Sequence, residues 1–231
     1  MSTDSFFYTI NMLAPSLIKF LAGLRKNNNK GWFDLHRNEY ESEKNNFRSF
    51  VQEMIDLIAK FDASIAVLQP KDCVFRINRD VRFSKDKRPY KNNFAAYFNK
   101  RGKKNGGAGY YLHIEPGKSF AAVGIWMPPA EELALIRQEI DYNFDEWKKI
   151  ISSSTFKKTF GTDVQWGDSL SRPPKGYTAD NPAIDFLKQK SFVATVSFTD
   201  KELVEKNFTQ KVAGIFRTGQ PLIEFINRSA D

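Results

Sequence analysis

One cysteine, Cys73, stands in a chain of 231 residues. It cannot form an intramolecular disulfide, and no cysteine cluster exists to hold zinc, so a reducing compartment is the natural setting. Histidine is nearly as scarce: His36 and His113 are the only two, and they lie on different predicted elements. No apolar run reaches the roughly 18 residues a membrane-spanning helix needs. Near the start, Phe6, Phe7 and Tyr8 follow Asp4, without the basic stretch and small-residue cleavage signal of a secretory leader. The expectation is a cytoplasmic protein with no membrane partner. Also missing are GxxxxGK[ST], GxGxxG behind a strand, GxSxG and HExxH, which removes the commonest nucleotide, hydrolase and zinc-protease readings. Nothing in the pattern calls for a cofactor or a metal.

What the chain does have is apolar bulk and a local excess of positive charge. Hydrophobic residues make up 41% of it and phenylalanine alone accounts for 21 positions, which points to an aromatic-rich core. A single domain of this size buries roughly 70–75% of its unfolded surface and needs no crosslink to do so. The formal net charge is +8, and its placement is uneven. From Lys71 to Lys104, twelve Lys and Arg stand against Asp72, Asp80 and Asp86, leaving 23 basic and 24 acidic residues elsewhere. A localised positive field implies an anionic partner. The plain alternative is a solvated basic loop that serves solubility.

Hydrophobic spacing supplies the elements. Leu17, Phe20, Leu21 and Leu24 recur at helical intervals behind Pro15, and Asn27–Asn29 stop that helix. A second helical pattern runs from Trp32 and Phe33 to Ile58, with Asn45 and Asn46 as a possible bend. The period then shortens to two. Phe75, Ile77, Val81 and Phe83 share one face of a predicted strand and Arg76, Asn78, Asp80 and Arg82 the other. Arg79 falls on the apolar side, which requires a bulge or an ion-pair partner. Ser84–Asn93 reads as a loop stiffened by Pro89, Phe94–Phe98 as a short strand, and the Gly- and Lys-rich Asn99–Gly109 as a mobile loop. Tyr110–Glu115 and Ser119–Met127 form a hairpin whose Glu115-Pro116-Gly117-Lys118 suits a type II turn. Helices follow around Leu133, Ile136, Ile140 and around Phe144, Trp147, Ile151. Phe192–Phe198 is one more strand. Thr199 and Glu202 make a capping box for a helix through Phe216 that Gly219 ends, with a last short helix over Pro221–Asn227.

The expected architecture is one α+β domain over 1–231, an antiparallel β-meander of about four to five strands packed against N-terminal and C-terminal helices. Its parts are a helical pair over 15–60, the meander over 73–127, and helices with one strand over 129–228.

Chemistry concentrates in the basic segment. Guanidinium forks at Arg76, Arg79 and Arg82 suit bidentate phosphate or carboxylate recognition. Ser84, Lys85, Lys87, Lys91 and Asn92 add charges and donors, while Tyr90, Tyr110, Tyr111 and Trp32 offer stacking surfaces. An internal network pairing the arginines with Asp80 and with helix acids such as Asp34 or Glu39 explains the same residues without a ligand. His113 shares the parity of Tyr111 and Glu115, opposite Leu112 and Ile114, so it faces either a site or the surface; a satisfied structural histidine is the simpler reading.

Several stretches resemble the conserved hypothetical proteins of bacteria and fungi grouped as domain of unknown function 2461. They are Phe20–Tyr40 (FLAGLRKNNNKGWFDLHRNEY), Arg76–Phe94 with its RDVRFSKDKRPYKNNF run, the Tyr110–Gly124 hairpin, and Pro174–Pro182 (PKGYTADNP). Asn45-Asn46 departs from the proline expected there. The resemblance implies a single α+β domain and brings no activity and no catalytic residues. It also suggests that the Asn27–Trp32 turn, the basic run and the Tyr110–Tyr111 strand start share one concave surface.

Three functions follow as expectations. The first is binding of a phosphorylated or otherwise anionic small molecule, or of nucleic acid, through residues 76–91. The second is an enzyme on a phosphate- or carboxylate-bearing substrate with Asp80 or Asp86 as acid/base. The third is a structural or protein-interaction module.

Overall fold

The computed structural model describes residues 12–228 apart from 104, 105, 163 and 165. Phe6, Phe7, Tyr8 and Lys104, which entered the reading above, lie outside the described residues.

The N-terminal helices are α1 (Pro15–Lys26), α2 (Lys30–Leu35) and α3 (Arg37–Ile58), followed by the short α4 (Pro70–Cys73). Pro15 at the first turn of α1 suits the missing N–H there, and Leu17, Phe20, Leu21 and Leu24 form its buried stripe. Asn29 then caps α2 by accepting from the Trp32 N–H. The long pattern from Trp32 to Ile58 is split at His36, and α3 passes through Asn45 and Asn46 without interruption.

A four-stranded antiparallel sheet follows: β1 (Phe94–Phe98), β2 (Gly109–Ile114), β3 (Ser119–Ile125) and β4 (Phe192–Phe198), in that spatial order. The β2–β3 turn closes with the Lys118 N–H donating to the Glu115 carbonyl, and Gly117 takes φ 73°, the left-handed value a type II turn demands at that position. Strand parity decides the layers. Phe94, Ala96 and Phe98 pair across β1–β2 with Ile114, Leu112 and Tyr110; Val123 pairs with Tyr110 and Ala194. All of these are buried on one face. Helices α5 (Ala130–Tyr142), α6 (Phe144–Ser152), α7 (Ser154–Phe160), α8 (Ile184–Leu187), α9 (Asp200–Leu203) and α10 (Phe208–Arg228) complete the chain. On the core face Phe216 of α10 meets Phe98 and Tyr110, Phe47 of α3 meets Phe94, and Phe50 meets Phe208.

Three expectations are corrected. The Thr199–Glu202 capping box opens only α9, which ends at Leu203, and the helix carrying Phe216 starts separately at Phe208. Phe75–Phe83 is not a strand. It makes one isolated bridge, Asn78 to Tyr90, next to that of the preceding Val74 to Ala96, then turns back on itself. A regular strand would drive Arg79 into the core, whereas the observed path lets Phe83 stand 95% exposed instead. Nor does Gly219 end a helix: α10 runs straight through it and Pro221. Gly219 sits against the sheet, where an added Cβ would lie 2.5 Å from a Val123 methyl. Its smallness serves close helix-to-sheet approach, not termination.

Candidate functional site

Residues 77–91 form a closed loop. The Lys91 N–H donates to the Ile77 carbonyl at 2.7 Å and the Arg79 N–H to the Pro89 carbonyl at 2.9 Å, so the ends are pinned together. Within it, Asp86 accepts from Arg88 and forms an ion pair with Arg79 at 2.7 Å. Asp80 grips Arg82 at 2.7 Å. Hydrogen bonds from Arg88 above all hold the Asp86 carboxyl well below the usual range, and Arg82 does the same for Asp80. Lys87 donates to the Val81 carbonyl, and Ser84 Oγ accepts from the Asp86 N–H and from Arg79. A carboxylate so stabilised in its ionised form is a poor acid/base at neutral pH, which weighs against Asp80 and Asp86 as catalytic groups.

The remaining candidates separate by position. Tyr90 is buried, its ring stacked on Phe33 with centroids 4.0 Å apart. Asn28 clasps this part of the loop, donating to the Tyr90 carbonyl and to Asn92 Oδ1 and accepting from the Tyr90 N–H. The Asn27–Trp32 turn and the basic run therefore do meet, but as a structural joint. Trp32 packs on His36 and Phe20. Tyr110, expected to touch a ligand, is a core residue with 0% exposure, and its hydroxyl donates to Asp62. One residue of register separates it from Tyr111, so strand alternation sends the two rings to opposite faces.

Tyr111 belongs to the other face of the sheet, with Tyr97, His113, Phe120, Ala122, Val193 and Thr195. The register sets Tyr97 opposite Tyr111, Tyr111 opposite Ala122, and Ala122 opposite Thr195. This face floors a cleft of about 630 Å³. Phe75 forms one wall, with its ring edge-to-face on Tyr111. Trp126 and Met127 rise at the mouth on the turn after β3, Trp126 being 69% exposed. Gly124 is obligatory beneath them: at φ 119° an added Cβ would sit 1.9 Å from the Phe192 carbonyl oxygen. The glycine-rich segment forms another edge and is firmly tied where described. The Gly107 N–H donates to Glu132, its carbonyl accepts from the Tyr97 hydroxyl at 2.6 Å, and Ala108 is held by Asn99 and Asn227.

Lys103 lines the cleft, and two further cations, Lys91 and Arg76, stand outside its lining next to Phe75. The Lys91 ammonium lies over that ring, 5.3 Å from its centroid. Burial first, and then the Arg76 guanidinium, push the Lys91 amine below its ordinary pKa. Arg76 and Lys85 are exposed. Among the described residues, no carboxylate lies within ion-pair distance of Arg76, Lys85 or Lys91.

Three polar side chains on β2 and just beyond it form a chain. Tyr111 Oη is 3.1 Å from His113 Nδ1, and His113 Nε2 is 3.1 Å from Glu115 Oε2. A carboxylate accepts, so Nε2 carries the imidazole proton and Nδ1 receives the phenol proton. Burial keeps His113 below its ordinary pKa in spite of Glu115, and raises Tyr111 to about 12. The parity of Tyr111, His113 and Glu115 was visible in the sequence. Phe75, Tyr97, Phe120 and Trp126 were not marked there, although the off-core parity of Tyr97 within Phe94–Phe98 was the available signal. Among the described residues no group of three or more His, Cys, Asp or Glu could hold a metal ion, and no helix is long and apolar enough to cross a membrane.

A family model described as a conserved hypothetical protein (DUF2461) matches residues 16–225. The chain belongs to that family. Neither the curated proteins nor the solved structures compared with it gave a match.

Proposed function

We propose that this member of the DUF2461 family binds a small ligand that joins an anionic group to a flat apolar body. The body would lie on the Tyr97–Tyr111–Ala122 floor, and the anion would meet Lys91 and Arg76. The observation that carries this reading is the pair Lys91 and Arg76. They are two neighbouring cations that, among the described residues, have no carboxylate within ion-pair distance, and they adjoin Phe75 in the wall of a cleft of about 630 Å³. Holding like charges together is unfavourable, and an incoming anion relieves it. A concave, mainly apolar site with few polar groups at one end suits a small molecule. Arg79, Arg82 and Arg88 contribute less to such a site because Asp86 and Asp80 already engage them.

The test uses anilinonaphthalenesulfonate, a flat sulfonate, titrated against the folded protein with tryptophan emission and dye fluorescence as readouts. Saturable binding is expected, weakened about tenfold or more in the Arg76→Ala/Lys91→Ala variant through loss of two charge-assisted contacts. Unchanged affinity in that variant overturns the reading. A single-stranded oligonucleotide that binds with a log–log salt slope steeper than about −2 would instead favour a nucleic-acid partner spread along the loop.

A further inference from the structure

We propose that the cleft is a catalytic site for proton abstraction from a flat carbon acid, with Tyr111 as the group that meets the substrate and His113 as the base behind it. The inference rests on the ligand-binding reading of the same cleft. It adds a reaction class to it.

Geometry supplies the argument. Tyr111 lines the cleft, whereas His113 and Glu115 are not among its lining residues and are largely buried. Phe120 covers the imidazole face at a centroid distance of 4.9 Å, so bulk water is screened from that face of the ring. Nδ1 receives the Tyr111 hydroxyl at 3.1 Å and the Asn93 amide nitrogen at 3.4 Å, while Nε2 reaches Glu115 at 3.1 Å. A base off the cleft lining and bonded to a lining phenol acts on substrate through that phenol. In the step, the substrate C–H bond breaks and its proton goes to Tyr111 Oη. The original phenol proton passes to His113 Nδ1, and the C–H electron pair stays on the substrate as a delocalised carbanion. Glu115 offsets the imidazolium charge, and reversal returns a proton to the same or a conjugated carbon. Nothing is oxidised or reduced.

The charged groups around His113 pull in opposite directions, Glu115 favouring the imidazolium that the transfer forms and Lys91 opposing it. On its own strand it has Tyr111, with Glu115 just beyond. From the basic loop Lys91 disfavours the imidazolium, and Arg88 lies within electrostatic reach of Glu115. The facing positions on β1 and β3 are Ala95 and Phe120, which carry no charge.

The probe is 5-nitrobenzisoxazole, a planar carbon acid. Loss of its C3 proton breaks the N–O bond, forms a nitrile and releases an absorbing phenolate. The expected result is a saturable rate with the full-length protein, inhibited by anilinonaphthalenesulfonate in competition. It should rise with pH through one titration lying below about 6.5 and then level off. Tyr111→Phe and His113→Gln should each lower the rate by about a hundredfold or more, and Glu115→Gln should lower it and move the titration midpoint. Circular dichroism of each variant guards against misfolding, and retention of the wild-type pH midpoint at reduced rate in Tyr111→Phe would support His113 as the base. Equal rates in wild type, Tyr111→Phe and His113→Gln overturn the proposal. So does a wild type that binds the sulfonate yet gives no rate, a result that leaves the binding reading standing. A rate that the sulfonate fails to inhibit places the chemistry elsewhere and also overturns it.

Discussion

The Arg79 guanidinium lies 2.7 Å from the Asp86 carboxylate, within a loop whose ends are already sewn by backbone hydrogen bonds. That contact, shared with Arg88, turns part of a conspicuous basic run inward. Arg79→Ala is therefore expected to lower the melting temperature while leaving anilinonaphthalenesulfonate affinity within about twofold, the reverse of Arg76→Ala. Parallel thermal melts and dye titrations of the two variants check this. A stability loss in Arg76→Ala without a binding loss would contradict the division. Asp86 makes the same point against pH. Its folded pKa lies below the ordinary value of about 3.9, so its stabilising contribution is whole above that pH and drains away as pH falls toward the folded value. The melting-temperature gap between wild type and Asp86→Asn should be full at neutral pH and should narrow below pH about 4.

His113 carries the opposite charge type but a similar direction. Burial lowers its folded pKa below the ordinary value of about 6.5, so the unfolded chain takes up a proton first as pH falls. Stability from this residue is constant above about pH 6.5 and declines below it until the folded value is passed. Melting curves between pH 8 and pH 5 should show this decline in wild type and a smaller one in His113→Gln. Identical slopes would mean that His113 is not held neutral.

Gly219 and Val123 test the seam between α10 and β3. An added Cβ would come within 2.5 Å of Val123 Cγ1, so Gly219→Ala should cost about 1–3 kcal/mol by overpacking. Combining it with Val123→Ala opens the same space. The double variant should then be less destabilised than the two single changes added together, by about 0.5 kcal/mol or more. Urea unfolding of the four proteins measures the coupling, and strict additivity would deny the contact.

Cys73 is fully buried, and burial pushes its thiol up to about 12. The thiolate is the reactive species, so the folded protein should resist a disulfide reagent at pH 8 and react with one equivalent only in denaturant. Fast modification of the native protein would show that the segment around Cys73 opens readily.

Residues near one another in the chain determined much of this protein. The helical stripe of Leu17, Phe20, Leu21 and Leu24, the Glu115–Lys118 turn and the Thr199–Glu202 capping box depend on spacings of two to four residues, and each is present. So are the strands expected at Phe94–Phe98, after Gly109 and at Phe192–Phe198, and with them the α+β class. Charge localisation was equally plain. Tertiary structure alone decided which charges were already taken, because Arg79 finds Asp86 seven residues away through a chain reversal that no period encodes. It likewise turned Phe75–Phe83 out of the sheet, since the cost of burying Arg79 outweighs a local β pattern. It sent Tyr110 inward and Tyr111 outward, and it gathered Phe75, Tyr97, Tyr111, Ala122 and Trp126 from separate segments around one cleft. Periodicity names the two faces of a strand; only packing against α3 and α10 determines which of them becomes the core and which floors the cleft.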